Sequence, residues 1–284
     1  MSLLDTLFEL EEEDKIIRAP FPYPGGKSRS IGNILPRLPY RGIYVEPFGG
    51  SAAVLLSRRK SKFEVFNDRY AGVVAFYRVM RSESKMRALC ERLELTVHAR
   101  EEWAWAKETW QNVEDDVERA ALWYYLVSYS FASLGRNFGR STTTSPLAGK
   151  IRRRLEAFPL IHERLCNVQI ENQDWRQCLA DYDNDDTVFY LDPPYLAVNM
   201  GAYKHEMSHD DHRRLLDTVM SLRGFVALSG YSNPLYEAYD WDNRHEWDAY
   251  VSMTPSGDIK GNYKEGIETK REKATEVLWI KEAK

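Results

Sequence analysis

Short runs of apolar and β-branched residues recur along the chain: 43 to 46 (IYVE), 63 to 66 (FEVF), 168 to 171 (VQIE), 187 to 191 (TVFYL), 224 to 229 (GFVALS), 244 to 251 (RHEWDAYV) and 275 to 280 (TEVLWI). Each has the length and residue types of a β-strand. Several are apolar without alternation, the pattern of strands covered on both sides. Helical patterns follow them, for example at 51 to 59 (SAAVLLSRR) and 208 to 222. Strands alternating with helices predict an α/β fold: a seven-stranded, mostly parallel sheet with helices on both faces, Rossmann-like in plan. The alternation stops between about 80 and 160, where helical periodicity rich in Trp and Tyr leads through a polar loop (GRSTTTSPLAGK) into a basic run. The pattern therefore predicts a discontinuous domain over 19–80 and 165–284, a mostly helical insertion over 81–164, and an acidic arm over 1–18.

A length of 284 residues accommodates one large α/β domain with such an insertion. No apolar run approaches the length of a membrane span, and the N-terminus (MSLLDTLFELEEEDK) has acids where a signal peptide needs its apolar core. A soluble, cytoplasmic protein without membrane contact is expected. Cys90, Cys166 and Cys178 are scattered without CxxC spacing, which argues for reduced thiols and against zinc. His205, His209 and His212 beside Asp210 and Asp211 have the chemistry of metal ligands, but Ser208 followed by Asp211 reads as a helix capping box before LLDTVM. The capping reading is adopted, and no metal is expected.

The formal net charge is −4, but the charges are unevenly placed. Glu9, Glu11, Glu12, Glu13 and Asp14 crowd the N-terminal arm. Between Ser133 and Arg164 the basic residues Arg136, Arg140, Lys150, Arg152, Arg153, Arg154 and Arg164 face only Glu156 and Glu163. A local basic patch on a near-neutral chain is what phosphate binding requires. The alternative is a solvated helix face.

In open α/β sheets ligands bind beyond the carboxyl ends of the strands, and three of these ends carry unusual residues. The first runs into EPFGGSAA, where paired glycines permit close approach of a ligand and the following helix start presents unpaired N–H groups. The second ends in FND, placing Asp68 where an acid hydrogen-bonds ribose hydroxyls. The glycine spacing does not fit GxGxxG, and YPGGKS has Phe21 where a P-loop needs its first glycine, so neither a dinucleotide dehydrogenase nor an NTP cradle is indicated. The fourth candidate strand stops at DPPY. Pro193 holds Asp192 extended, and neither proline donates a backbone hydrogen bond, so Asp192 ends the strand as an acceptor. The Pro193 carbonyl offers a second acceptor and Tyr195 a flat ring. Two acceptors and a ring suit a planar base with an exocyclic amine; taken alone, the tetrapeptide is also compatible with a rigid turn.

The succession YPGGK, VEPFGG, FND and DPPY resembles the Dam-like family of S-adenosylmethionine-dependent DNA adenine methyltransferases. QIENQDW, LSGYSNPLYE and KREKATEVLWI extend the resemblance over most of the chain. The resemblance implies a Rossmann-like methyltransferase fold. It implies that Tyr23, Gly25, Gly26 and Lys27 help enclose the cofactor, with Lys27 toward its carboxylate, and that Glu46, Pro47, Phe48, Gly49 and Gly50 border its methionine end. Asp68 would hold the ribose and Asp174 lie beside the cofactor adenine. Asp192, Pro193, Pro194 and Tyr195 would form the catalytic tetrapeptide that takes the target base. The insertion falls where the family carries its target-recognition region, making Arg136, Arg140, Lys150, Arg152, Arg153 and Arg154 candidates for DNA contact. Members that read GATC carry NVPFGRYK here, whereas this chain has LGRNFGRSTTTS, so GATC is not implied. The resulting expectation is a monomeric or weakly dimeric enzyme that methylates N6 of a flipped adenine in double-stranded DNA, releasing S-adenosylhomocysteine. Methylation of cytosine N4 or of an RNA base, and a non-catalytic recognition subunit, are the alternatives.

Overall fold

The computed structural model describes residues 17–140, 149–196, 207–250 and 273–284. The acidic run of the N-terminal arm, Tyr203, which follows DPPY, and His205 lie outside the described residues. Seven strands form one sheet: β1 (Ile43–Glu46), β2 (Phe63–Asn67), β3 (Val168–Glu171), β4 (Thr187–Leu191), β5 (Phe225–Tyr231), β6 (Asn243–Tyr250) and β7 (Lys273–Lys281). Their order is β3-β2-β1-β4-β5-β7-β6. The first five are parallel, and β7 enters antiparallel between β5 and β6. The chain leaves β1 toward one edge and returns at β4 to build the other half. The crevice at the carboxyl ends of β1 and β4 is therefore the switch point at which such sheets bind ligands.

The apolar runs lack alternation because both faces of the sheet are covered. Tyr44, Phe66, Val188, Tyr190, Ala227 and Leu278 belong to one core. Their neighbours Val45, Val65, Phe189, Leu191, Leu228 and Trp279 belong to the other. The period of two is present, but both phases are apolar. The helices are α1 (Ile31–Ile34), α2 (Ala53–Ser57), α3 (Ala71–Met80), α4 (Glu83–Glu94), α5 (Arg100–Thr109), α6 (Asp116–Ser128), α7 (Lys150–Leu155), α8 (Phe158–Leu165), α9 (Trp175–Tyr182), α10 (His209–Ser221) and α11 (Pro234–Glu237). The second core takes Cys178 and Leu179 from α9 and Leu215, Leu216 and Val219 from α10. Ser208 and Asp211 form the expected capping box at the start of α10. His212 is buried with its Nδ1 2.8 Å from the Tyr236 hydroxyl, and burial pushes it down to about 4. A neutral histidine inside a core is a packing residue here.

Helices α4 to α8 make the region between 81 and 164 helical, as expected. It does not form a core of its own. Trp123, Tyr124 and Leu126 of α6 lie in the same cluster as Phe76 and Tyr77 of α3 and Tyr44 of the sheet. The segment leading to the glycines joins them: Phe21 meets Trp123 edge-on at 4.9 Å and Phe76 at 5.3 Å, and the Tyr124 hydroxyl donates to the Pro20 carbonyl. A buried ion pair also joins the insertion to the sheet. Arg164 of α8 donates to both oxygens of Glu64 on β2 and to the Leu55 carbonyl, and Arg58 completes the set at 3.0 Å from Glu64.

Gly72 in α3 is the contact on which this union turns, because a Cβ there would lie 2.2 Å from the Trp123 ring. Helix propensity alone would make Gly72→Ala stabilising by about 1 kcal/mol. Packing predicts the opposite sign, a loss of about 1–3 kcal/mol from overfilling a close-packed core. Urea unfolding of the two proteins, read from the midpoint at unchanged slope, decides between them.

Candidate active site

Three loops meet at the carboxyl edge of β1 and β2 and are stitched together by side chains from FND. The Asn67 side chain donates to the Pro47 carbonyl at 2.8 Å and accepts from the Gln173 amide at 2.9 Å. Asp68 accepts from the amides of Gly50 at 2.8 Å and Tyr70 at 2.7 Å. A bend follows β1: Gly50 has φ +50° and Ala52 φ +54°, a region costly for alanine and free for glycine. The glycines do not face empty space. A Cβ on Gly49 would meet the Phe66 ring at 2.1 Å, and one on Gly50 the Tyr23 ring at 3.0 Å. The bend thus packs on the protein's own rings, and the hollow lies beside it.

That hollow is lined by Tyr23, Gly26, Lys27, Glu46, Phe48, Gly49, Gly50, Asp68, Asp192 and Pro194, together with Tyr190, Ser51 and Val54. Residues far apart in sequence therefore reach one cavity. Glu46 is 2 % exposed and takes the Tyr44 hydroxyl at 2.6 Å. Burial, the dominant cause, pushes its carboxyl up to about 8. Burial likewise pushes Asp68 up to about 6, opposed by its two backbone donors. Asp192 is also pushed up to about 6 by burial, and the Lys27 ammonium pulls it back.

Lys27 does not extend into the hollow as a free cation. Its ammonium lies 2.7 Å from Asp192 Oδ2, donates to the Gly25 carbonyl at 2.6 Å and sits 4.8 Å from the centre of the Tyr195 ring. The pairing follows from burial: a desolvated ammonium and a desolvated carboxylate at one strand tip stabilise each other. Asp192 Oδ1, by contrast, is buried with no hydrogen-bond partner. An unpaired buried acceptor beside a cavity is a position at which a donor is required.

The remaining expected residues fall into two groups. Gly25, Pro47, Pro193 and Tyr195 flank the lining residues in sequence; Gly25 has φ +69°, and the Tyr195 hydroxyl donates to Glu276 at 2.8 Å. Asp174 is not among the residues of the hollow. It caps α9 by accepting from the Arg176 amide at 3.0 Å and pairs with Arg69 at 3.2 Å, because an acid at a helix start meets unpaired N–H groups. Tyr190 went unnoticed in the sequence, although the period of two places it on the same face as Asp192. Glu276 also went unnoticed, and nothing local marks it.

In the basic run, Arg136, Arg140, Arg152 and Arg153 are exposed. Two members turn away from solvent. Lys150 donates to the Ser128 carbonyl at 2.9 Å, and burial pushes it down to about 8. Arg154 is half-buried beside Tyr124. A helix with one apolar face cannot present three consecutive arginines to solvent alike. Phe131, 70 % exposed, sits with Arg136 on a small hairpin closed by the Ser130 and Phe138 bridge.

A sheet in this order, with an antiparallel seventh strand inserted beside the fifth and a glycine bend at the switch point, defines the Rossmann-like methyltransferase class. Residues 23–253 match the family described as D12 class N6 adenine-specific DNA methyltransferase, and the chain belongs to that family. It is similar to the DNA adenine methylase of Escherichia coli (strain K12), 26 % identical over 189 residues, which cover 65 % of this chain and 67 % of the relative. The similarity to the DNA adenine methylase of Salmonella typhi is 25 % over the same span. The chain is an adenine-specific DNA methyltransferase, which excludes the cytosine and RNA alternatives. Among the described residues no helix is long and apolar enough to cross a membrane.

The three raised carboxyls carry a consequence for stability. Their folded-state values, about 8 for Glu46 and about 6 for Asp68 and Asp192, lie above those of an unfolded chain. The folded protein therefore holds protons that the unfolded chain releases, and this contribution, complete below the ordinary carboxyl range of about 4, is lost as pH rises to about 6 for Asp68 and Asp192 and to about 8 for Glu46. Urea unfolding at stepped pH should show a falling midpoint over that window. Glu46→Gln, which cannot ionise, should flatten its upper part.

Proposed function

We propose that this enzyme transfers a methyl group from S-adenosylmethionine to N6 of an adenine swung out of double-stranded DNA at a short specific site, with the transfer at the tip of β4. The observation that carries the assignment is Asp192 Oδ1, a buried acceptor with no partner in the wall of the hollow. The residues of the hollow fit a cationic cofactor: the carboxyls of Glu46 and Asp68 and the rings of Tyr23 and Phe48 suit a sulfonium and an ammonium. Asp68 keeps acceptor capacity for a ribose, since two amide donors do not exhaust a carboxylate. When bound, the cofactor supplies a methyl carbon activated by its sulfonium and leaves as S-adenosylhomocysteine.

The chain's own residues then act on the base. Asp192 Oδ1 accepts one N–H of the target amine and the Pro193 carbonyl the other, which draws the nitrogen lone pair out of conjugation with the ring. The N6 proton becomes acidic only after alkylation, so no strong general base is needed, and the proton then passes to Asp192 Oδ1 and on to solvent. Lys27 holds Asp192 Oδ2 and favours the ionised form that can accept. Tyr195 stacks on the heterocycle, offsetting part of the few kcal/mol that extrusion costs. Arg136, Arg140, Arg152 and Arg153 meet phosphates or guanine edges.

Asp192→Ala is expected to lower methyl transfer by about 10²–10³-fold or more while cofactor binding persists. Radiolabelled methyl incorporation, with digestion of the DNA to nucleosides, measures this; parental activity in the variant would remove Asp192 from the mechanism. Replacing Arg152 and Arg153 by Gln is expected to weaken DNA binding and to lower the slope of log affinity against log salt by about 0.9 per lost phosphate contact. An unchanged slope would make them a solvated helix face.

A further inference from the structure

Glu276 lies on β7, outside every segment so far assigned a role, and its side chain is 7 % exposed. Three hydrogen-bond donors and one ammonium, from three parts of the chain, converge on it. Oε1 takes the Tyr195 hydroxyl at 2.8 Å and has the Lys27 ammonium at 3.6 Å. Oε2 takes the Ser30 hydroxyl at 2.7 Å and the Trp247 indole N–H at 3.0 Å. Its strand register sets it beside Tyr231 of β5 and Trp247 of β6, and the Tyr231 ring meets the Tyr195 ring edge-on at 4.8 Å.

A carboxylate in the interior of a sheet is costly to desolvate, and an apolar residue of similar volume would serve packing as well or better. Two of these four groups, the Tyr195 hydroxyl and the Lys27 ammonium, belong to the site itself, and Ser30 closes the short turn that begins with Lys27. We propose that Glu276 is a positioning residue for methyl transfer: it fixes the Tyr195 ring and the Lys27 ammonium relative to Asp192, so that the surface receiving the base is formed before any base arrives. Without it, the Tyr195 ring loses the bond that orients its hydroxyl end, and Lys27 loses the second carboxylate that keeps it between the GGK turn and DPPY. The inference rests on the reading that Tyr195 stacks on the flipped adenine.

The experiment uses the full chain, with Glu276→Gln, Tyr195→Phe, the double variant and Tyr195→Ala. Single-turnover methyl transfer is measured alongside the emission of 2-aminopurine placed at the target position, which brightens when flipped and dims when stacked on a ring. Because a hydrogen bond to a charged group is at stake, Glu276→Gln and Tyr195→Phe should each lower the transfer rate about 10- to 100-fold. The affinity for S-adenosylhomocysteine should stay within about threefold, since a positioning role acts on the reaction step. The double variant should be no slower than the slower single one, as expected when both changes break one bond. In both single variants the flipped 2-aminopurine should be brighter than in the parent. Additive losses, or a parental rate and dim probe in Glu276→Gln, would overturn the role of Glu276. Should Glu276→Gln fail to fold, Tyr195→Phe decides from the other end of the bond: a parental rate and dim probe there overturn the proposal equally. A parental rate in Tyr195→Ala would instead remove the stacking reading itself.

Discussion

One buried ammonium between two carboxylates, one fully and one partly buried, organises the hollow at the carboxyl edge of the sheet. Lys27 lies 2.7 Å from Asp192 and 3.6 Å from Glu276, and the three groups come from the N-terminal turn, β4 and β7. Each alone would be costly away from water; together they compensate one another. The arrangement binds three distant segments into one surface and leaves a single oxygen of Asp192 unsatisfied.

Two other carboxyls of the hollow show the complementary condition. Glu46 and Asp68 are buried carboxyls without a salt-bridge partner among the described residues, with Glu46 held by a phenol and Asp68 by two amides. Such groups are poised to gain from a cation that brings its own charge. A pocket of this kind distinguishes a positively charged ligand from a neutral one of the same shape, because only the former offsets the cost of ionising the carboxyls.

The helical insertion and the sheet cohere through aromatic packing and not through a linker. Phe21, Phe76, Tyr77, Trp123 and Tyr124 form one aromatic cluster of edge-to-face, tilted and stacked contacts, so the segment that delivers the glycines and Lys27 rests directly on α6. A chain arriving at the site from that cluster has little freedom in where it places its turn. The buried Arg164, Glu64 and Arg58 set ties the far end of the insertion to β2 in the same way.

Much of this was legible along the chain. Short runs of apolar and β-branched residues marked all seven strands, several of them without alternation because a strand covered on both faces is apolar in both phases. The proline pair made the end of β4 visible, because a residue without an N–H must stop a ladder wherever it falls. The capping box of α10 was visible for the same kind of reason: its two partners are three residues apart. What escaped was set by distance in sequence. Lys150 and Arg154 turned inward, according to which face of a helix met the core. Lys27 found Asp192 instead of facing the hollow alone, and Glu276 acquired four polar partners that lie between 29 and 249 positions away from it. Sequence alone determined the elements and the types of chemistry at their ends. Only the tertiary structure decided which charges neutralise one another, since burial and proximity across the sheet depend on how the strands are ordered and not on any local run of residues.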